Sequence, residues 1–312
     1  MIIYCYIEGY DASIWKPLFE KLIPGVDCRP WPHWGDSDES GEAYAYVWSP
    51  PEGLLAQHKN IRAIFSLGAG VDHLTKDPSL PKDIPIIRMA DSSLKDGMAE
   101  YITMAALWFL REMPAVQKRQ QTKTWKQFMP RPTSRFTVGL MGYGILGKAA
   151  AEKLRTFSFP IHTWSRTTKP AEDGITHYSG KENLGSFLSG CDLVVGLLPK
   201  TPETTGLLNH DTLAQLPKGA AVVNAGRGAL LDLDALKHHI DKGHLSGAML
   251  DVFDQEPLDQ NHPIWSTDGV IITPHVAAIT RPDTSAAYVA DCIEKIRQGK
   301  TIDAVLSKQL GY

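Results

Sequence analysis

The chain has 312 residues, 43% of them hydrophobic and 21% charged, with 32 basic against 35 acidic side chains and a net charge of −3. At roughly 150 residues per domain this is about two domains, and ordinary apolar content supplies a core and excludes wholesale disorder. With no basic excess, neither nucleic acid nor an anionic membrane is expected as a partner.

In chain order, the opening Met-Ile-Ile-Tyr-Cys-Tyr-Ile lacks a positive n-region and meets Glu8 and Asp11 at once, which is not a signal-peptide pattern. Short aromatic or β-branched runs closed by Gly, Pro or Asp lie at 2–7, 44–48, 62–67 and 85–88, a strand pattern. Between the first two, Ile14, Leu18 and Leu22 stand four apart and predict a helix over 13–22 with those residues on one face. Residues 98–112, rich in Ala, Met and Leu, predict one long helix. Its apolar run at 101–110 is half of the roughly 20 residues a membrane span needs. The polar stretch 118–135, with Pro130 and Pro132, reads as a traverse between domains.

A second series of strands is predicted at 137–141, 161–164, 193–198, 221–225, 248–250 and 270–273, with a shorter one near Thr176. A final helix, about 284–298, precedes a polar tail. The alternation predicts an α/β chain of parallel sheets covered by helices. One domain comprises residues 1–97 with 283–312 and the other residues 98–282, with a cleft between them. Cys5, Cys28, Cys191 and Cys292 are widely scattered, so no metal site is expected and the chain reads as cytoplasmic.

The strand at 137–141 runs into Gly142-Tyr-Gly144-Ile-Leu-Gly147, followed by a helical pattern. Glycines also fill ordinary turns, but strand before and helix after is the dinucleotide-binding context. Gly142 permits the tight turn, Gly144 lets backbone approach a pyrophosphate, and Gly147 lets the helix pack close, its first amides at Ile145 and Leu146 aimed at the anion. About 20 residues on, the second strand ends Trp164-Ser165-Arg166-Thr167. An NAD site usually places an acid there for the ribose 2′-hydroxyl. Ser165, Arg166 and Thr167 suit a 2′-phosphate instead, so NADP(H) is preferred, with NAD(H) possible.

Ligands of open parallel sheets bind outside the carboxyl ends of the strands. The strand at 221–225 ends in Gly226-Arg227-Gly228, the strand at 248–250 leads to Asp251 and Glu256, and the strand at 270–273 leads to Pro274-His275. Arg227 offers a planar fork for a carboxylate, His275 carries a proton near neutral pH, and Glu256, if bonded to the imidazole, orients it and favours its protonated form. Asp251 is placed to accept from a nicotinamide carboxamide. By position alone each residue also reads as a surface charge or loop residue. His238-His239 lacks the spacing of a helical zinc site.

With Gly68-Ala-Gly-Val-Asp72, Leu198-Pro199-Lys-Thr-Pro-Glu-Thr-Thr-Gly206, Asn224-Ala-Gly-Arg227-Gly, Asp251-Val-Phe-Asp-Gln-Glu256-Pro and Thr273-Pro-His275-Val-Ala-Ala-Ile-Thr-Arg281-Pro added, nearly the whole chain resembles the D-isomer-specific 2-hydroxyacid dehydrogenases. Within them it is most similar to the bacterial glyoxylate/hydroxypyruvate reductase A group. The resemblance implies two doubly wound domains, a Rossmann-type cofactor domain and a flavodoxin-like substrate domain. It implies catalytic Arg227, Glu256 and His275, with backbone amides of Ala69, Gly70 and Val71 on the substrate carboxylate. Leu198 and Pro199 would lie against adenosine, and Ala225, Gly226, Asp251 and Ala277 at the nicotinamide end. The implied reaction is NADPH-dependent reduction of a short 2-oxo acid by a homodimer. Three alternatives remain open: an NAD-linked dehydrogenase of D-lactate or a similar acid, a non-enzymatic dinucleotide sensor on the same fold, and a methyltransferase.

Overall fold

The computed structural model describes residues 1–36 and 40–306; the expected polar tail lies, from residue 307 on, outside the described residues. The chain divides into two compact units, Met1–Leu94 with Ile279–Tyr312, and Lys95–Ala278. Each unit is built on one all-parallel sheet.

The first unit carries β1 (Ile2–Ile7), β2 (Asp27–Pro30), β3 (Ala43–Trp48), β4 (Ile61–Ser66) and β5 (Ile86–Ile87), in the order β2-β1-β3-β4-β5. This is the flavodoxin-like order, with its switch point between β1 and β3. β1, β3 and β4 are buried almost throughout, as strands covered on both faces must be, which is why they stand out as continuous apolar runs. β2 went unpredicted because it is a short edge strand, with Asp27 exposed and Arg29 half-buried, and so offers no apolar run to detect.

The first helix corrects an expectation. A 3₁₀ turn at Ala12–Trp15 leads into an α-helix at Lys16–Leu22, and the Ile14–Leu22 face is turned outward: Ile14 and Leu22 are 48% and 43% exposed. Trp15 and Phe19 are buried instead, each meeting Tyr46 of β3 edge-on with ring centroids 5.9 and 5.6 Å apart. Two aromatic rings bury more apolar area than three aliphatic side chains can offset, and the tighter 3₁₀ turn rotates them onto the sheet. The last helix, Pro282–Arg297, packs on this element, with Trp15 Nε1 donating to the buried Ser285 Oγ at 3.1 Å.

The second unit carries β6 (Val138–Met141), β7 (Ile161–Ser165), β8 (Ile175–Ser179), β9 (Leu193–Gly196), β10 (Ala221–Asn224), β11 (Gly247–Leu250) and β12 (Val270–Ile272). Their order, β12-β11-β10-β9-β6-β7-β8, reverses between β6 and β9, the Rossmann switch point. Side chains alternate between the two faces of the sheet. Leu140, Val195, Val223 and Met249 pack with Ile102, Ala106 and Leu154 on one side. Met141, Val194, Val222 and Leu250 pack with Phe187, Leu213 and Leu236 on the other.

The long helix runs from Ser92 to Leu110, starting earlier than predicted because Asp91 caps it by accepting from Leu94 N at 3.1 Å. The traverse is also corrected, since its first part belongs to a second helix, Met113–Gln121, with Pro114 in the opening turn. That helix buries no residue, so it has no apolar period for the sequence to reveal.

Candidate active site

In the second unit the carboxyl ends of all seven parallel strands share one edge of the sheet. β6 passes into the glycine turn, where Gly142 has φ +110°, a region that favours glycine. A Cβ on Gly147 would lie 2.2 Å from the Gly142 carbonyl oxygen, so the Ile145–Arg155 helix closes on the turn only without a side chain there. A Cβ on Gly144 would meet nothing within 4 Å. That open space faces the first turn of an α-helix, whose amides have no intrahelical acceptors. A backbone cradle of this shape fits a dinucleotide pyrophosphate.

β7 ends at the buried Ser165, whose Oγ donates to Thr167 O at 2.8 Å, and Arg166 and Thr167 follow on the surface. The first acid beyond the strand, Glu172, is engaged elsewhere, accepting from Tyr143 Oη at 2.7 Å. The surface beyond β7 therefore carries the Arg166 cation and the Thr167 hydroxyl, a set that fits a 2′-phosphate better than a ribose diol. Leu198 and Pro199 follow β9, with Thr204 Oγ1 donating to Pro199 O at 2.6 Å.

On the other side of the switch point, three strand ends are drawn together. At the end of β10, the buried Asn224 donates through Nδ2 to Arg227 O at 3.0 Å and accepts from Gly226 N at 3.3 Å, shaping the turn that carries Arg227. A Cβ on Gly226 would come within 3.0 Å of the Leu197 and Leu198 backbone, and one on Gly228 within 1.9 Å of Phe253 C. This contact seats the Arg227 turn against the loop beyond β11. Phe253 N donates to Glu256 Oε1 at 2.8 Å, and Glu256 Oε2 lies 2.8 Å from His275 Nδ1. Both side chains are partly exposed, at 49% for His275 and 36% for Glu256, so the imidazole is oriented yet reachable.

His275 itself has φ +56°, a conformation that a non-glycine residue holds only when its surroundings impose it. Asp251, 2% exposed, imposes it. Its Oδ1 accepts from Thr273 Oγ1 at 2.6 Å and from Val276 N at 2.8 Å, its Oδ2 accepts from Ala277 N at 3.0 Å, and its carbonyl accepts from His275 N at 2.9 Å. Tyr101 Oη lies 2.8 Å from Thr273 Oγ1. Burial pushes the Tyr101 phenol up to about 12, so it remains a neutral partner across the working pH range. Sequence reading missed Thr273 and Tyr101 as supports of the turn. No spacing rule links positions so far apart, and only the fold joins them.

Ala69, Gly70 and Val71 lie in the first unit, beyond β4. There Ser66 Oγ accepts from Gly68 N at 3.3 Å and donates to Gly70 O at 3.1 Å, folding the loop on itself. A Cβ on Gly68 would lie 2.7 Å from Trp48 Cζ3, so the loop rests directly on the indole. Among the described residues no group of three or more His, Cys, Asp or Glu is arranged to hold a metal ion. No helix among them is long and apolar enough to cross a membrane.

Residues 103–277 match the family described as D-isomer specific 2-hydroxyacid dehydrogenase, NAD binding domain. Over its full length the chain is 36% identical to the whole of a glyoxylate/hydroxypyruvate reductase A from Yersinia enterocolitica. Among solved structures it is similar to a D-isomer specific 2-hydroxyacid dehydrogenase from Xanthobacter autotrophicus in complex with NADPH and MES. The TM-score is 0.92 at 36% identity, covering 100% of this chain and 99% of that one. An NADPH-dependent glyoxylate/hydroxypyruvate reductase from Sinorhizobium meliloti, in complex with NADP and sulfate, matches with a TM-score of 0.90 at 32% identity and the same coverage.

Proposed function

The chain belongs to the D-isomer-specific 2-hydroxyacid dehydrogenases, and from that premise we propose that it is an NADPH-dependent reductase of short 2-oxo acids, converting glyoxylate to glycolate and hydroxypyruvate to D-glycerate. The observation that carries this reading is the His275–Glu256 pair, held at 2.8 Å on the same sheet edge as Arg227 and the glycine turn. The full-length relative's name and the NADPH and NADP in the two solved relatives support the choice of substrate and cofactor.

In this reading Gly142, Gly144, Ile145, Leu146 and Gly147 hold the pyrophosphate. Ser165, Arg166 and Thr167 hold the 2′-phosphate, and Leu198 and Pro199 flank the adenosine. Ala225, Gly226, Asp251 and Ala277 line the nicotinamide end. A carboxylate accepts about four hydrogen bonds, and three at Asp251 are taken by the turn, which leaves one for a carboxamide. When bound, the nicotinamide supplies the hydride.

Arg227 grips the substrate carboxylate and polarises the 2-oxo group. Glu256 accepts from Nδ1–H of His275, which presents Nε2 to the substrate. His275 gives its Nε2 proton to the oxygen that becomes the 2-hydroxyl. The protein thus positions, polarises and protonates.

Steady-state rates with glyoxylate, hydroxypyruvate, pyruvate and 2-oxobutyrate, each with NADPH and NADH, test the reading. It requires the highest kcat/KM for one of the first two acids with NADPH. Preference for NADH, or no turnover of any of them, overturns it.

The working unit in this reading is a cytoplasmic homodimer. Its contact surface is supported by residues 122–132, where Trp125 is 97% and Met129 92% exposed beside a cavity of about 510 Å³ lined by Val116, Arg119, Trp125 and Phe128. Large apolar side chains this bare on a monomer mark a surface that a partner covers.

A further inference from the structure

The side chain of the middle residue of the glycine turn is not needed for the phosphate cradle, yet it is firmly held. Tyr143 is 6% exposed. Its ring lies 5.2 Å from that of His177 on β8, with Lys148 Nζ 5.8 Å from its centroid, and its hydroxyl donates to Glu172 Oε2 at 2.7 Å. The other oxygen of the same carboxylate lies 3.7 Å from Arg155 Nη1, at the far end of the helix that opens on the cradle. Glu172 sits in the tight turn that closes the β7–β8 connection, where Ile175 N donates to Glu172 O at 3.2 Å.

That connection, residues 166–174, begins with Arg166. It is tied at its start by Ser165 Oγ to Thr167 O and by Thr168 Oγ1, which lies 3.1 Å from Ser179 Oγ on β8. One carboxylate therefore fastens the far end of the Arg166 loop to the glycine turn and to the C-terminal end of the helix that follows it. Its 40% side-chain exposure makes it a weak contributor to stability. A surface carboxylate that adds little to the fold but joins two parts of a binding site has its effect on the distance between them.

We propose that Tyr143 and Glu172 are positioning residues that fix the spacing between the pyrophosphate cradle and the Arg166 loop, and so set the preference for cofactors carrying a 2′-phosphate. The inference rests on the proposed reading of Arg166 as the 2′-phosphate contact. A ligand that uses only the cradle is indifferent to this spacing. A ligand that spans cradle and loop is sensitive to it.

Two fragments make the distinction directly: 2′,5′-ADP, which carries a phosphate at each position, and 5′-AMP, which differs from it only in lacking the 2′-phosphate. The full-length protein is titrated calorimetrically with both. Tyr143→Phe, which keeps the buried ring, and Glu172→Ala are each expected to raise the Kd for 2′,5′-ADP by about fivefold or more, the scale of one charge-assisted hydrogen bond. The Kd for 5′-AMP should stay within about twofold, and Glu172→Gln, which still accepts from the tyrosine, should recover most of the loss. Melting temperatures near wild type accompany this result. Equal weakening of both fragments, or no change in either, overturns the proposal. Arg166→Ala separates the two levels. If it abolishes the 2′,5′-ADP preference while Tyr143→Phe leaves that preference intact, the loop contact stands and the strut fails. If Arg166→Ala leaves the preference intact, the 2′-phosphate reading fails and the strut with it.

Discussion

Gly144 and Gly228 in the second unit do different work, and single methyl groups separate their roles. At Gly144 an added Cβ meets nothing, so Gly144→Ala should leave the urea midpoint unchanged while weakening NADPH binding by about tenfold or more, because the methyl occupies the phosphate's approach. At Gly228 the same methyl would overlap Phe253 backbone, so Gly228→Ala should cost about 2 kcal/mol or more in urea unfolding. The reverse pattern would contradict the assignment of the two glycines. Arg166→Ala should weaken NADPH far more than NADH; an equal loss for both removes the 2′-phosphate argument. The constraints on Gly142 and Gly147 were readable from the motif because each is imposed by local backbone geometry. The role of Gly228 was not, since its constraint comes from Phe253, which only the fold brings beside it.

Secondary-structure elements were legible where burial writes a pattern and silent where it does not. β1, β3, β4, β6, β9 and β10 announced themselves as apolar runs because both their faces are covered. β2 and the Met113–Gln121 helix wrote nothing of the kind. The Lys16–Leu22 helix was found, but its buried face was not, because periodicity cannot tell which of two apolar stripes the aromatic rings will win.

Burial also sets a pH response. His239, 6% exposed on the Leu233–Asp241 helix, has its imidazole held below the ordinary histidine range by burial and by the neighbouring His210, His244 and His238, against a raising bond to His210 O. His162 on β7 is lowered by burial. Below the unfolded histidine value of about 6.5 the unfolded chain takes up more protons than the fold, so stability rises with pH there. The contribution is whole above about 6.5 and drains away as pH falls. Melting temperatures from pH 8 to 5 should hold level and then drop below about 6.5, with His239→Gln flattening the drop. A level profile through pH 5 would contradict the assignment.

At the scale of the whole molecule, each unit offers a switch point, and in the second unit Arg227, Glu256 and His275 follow the carboxyl ends of β10, β11 and β12, on the edge where the proposed reading puts the chemistry. The strand spacing places β7 and β10 roughly 14 Å apart, three intervals of about 4.8 Å, so that the two ends of a dinucleotide can reach different strand ends. Much of this was legible from order alone, because in a parallel sheet every strand end points the same way. The bare apolar side chains of residues 122–132 belong to a larger assembly in the proposed reading. Trp125→Ser with Met129→Ser should shift the light-scattering mass toward one chain, and an unchanged mass would remove that stretch from the interface.

The central claim is that His275, oriented by Glu256, protonates the reduced substrate. It is tested most directly by measuring NADPH binding and glyoxylate turnover together in His275→Ala. The account predicts a fall in kcat of about 10²-fold or more with the NADPH Kd within about twofold of wild type. Turnover within a few-fold of wild type, at unchanged cofactor affinity, would contradict it.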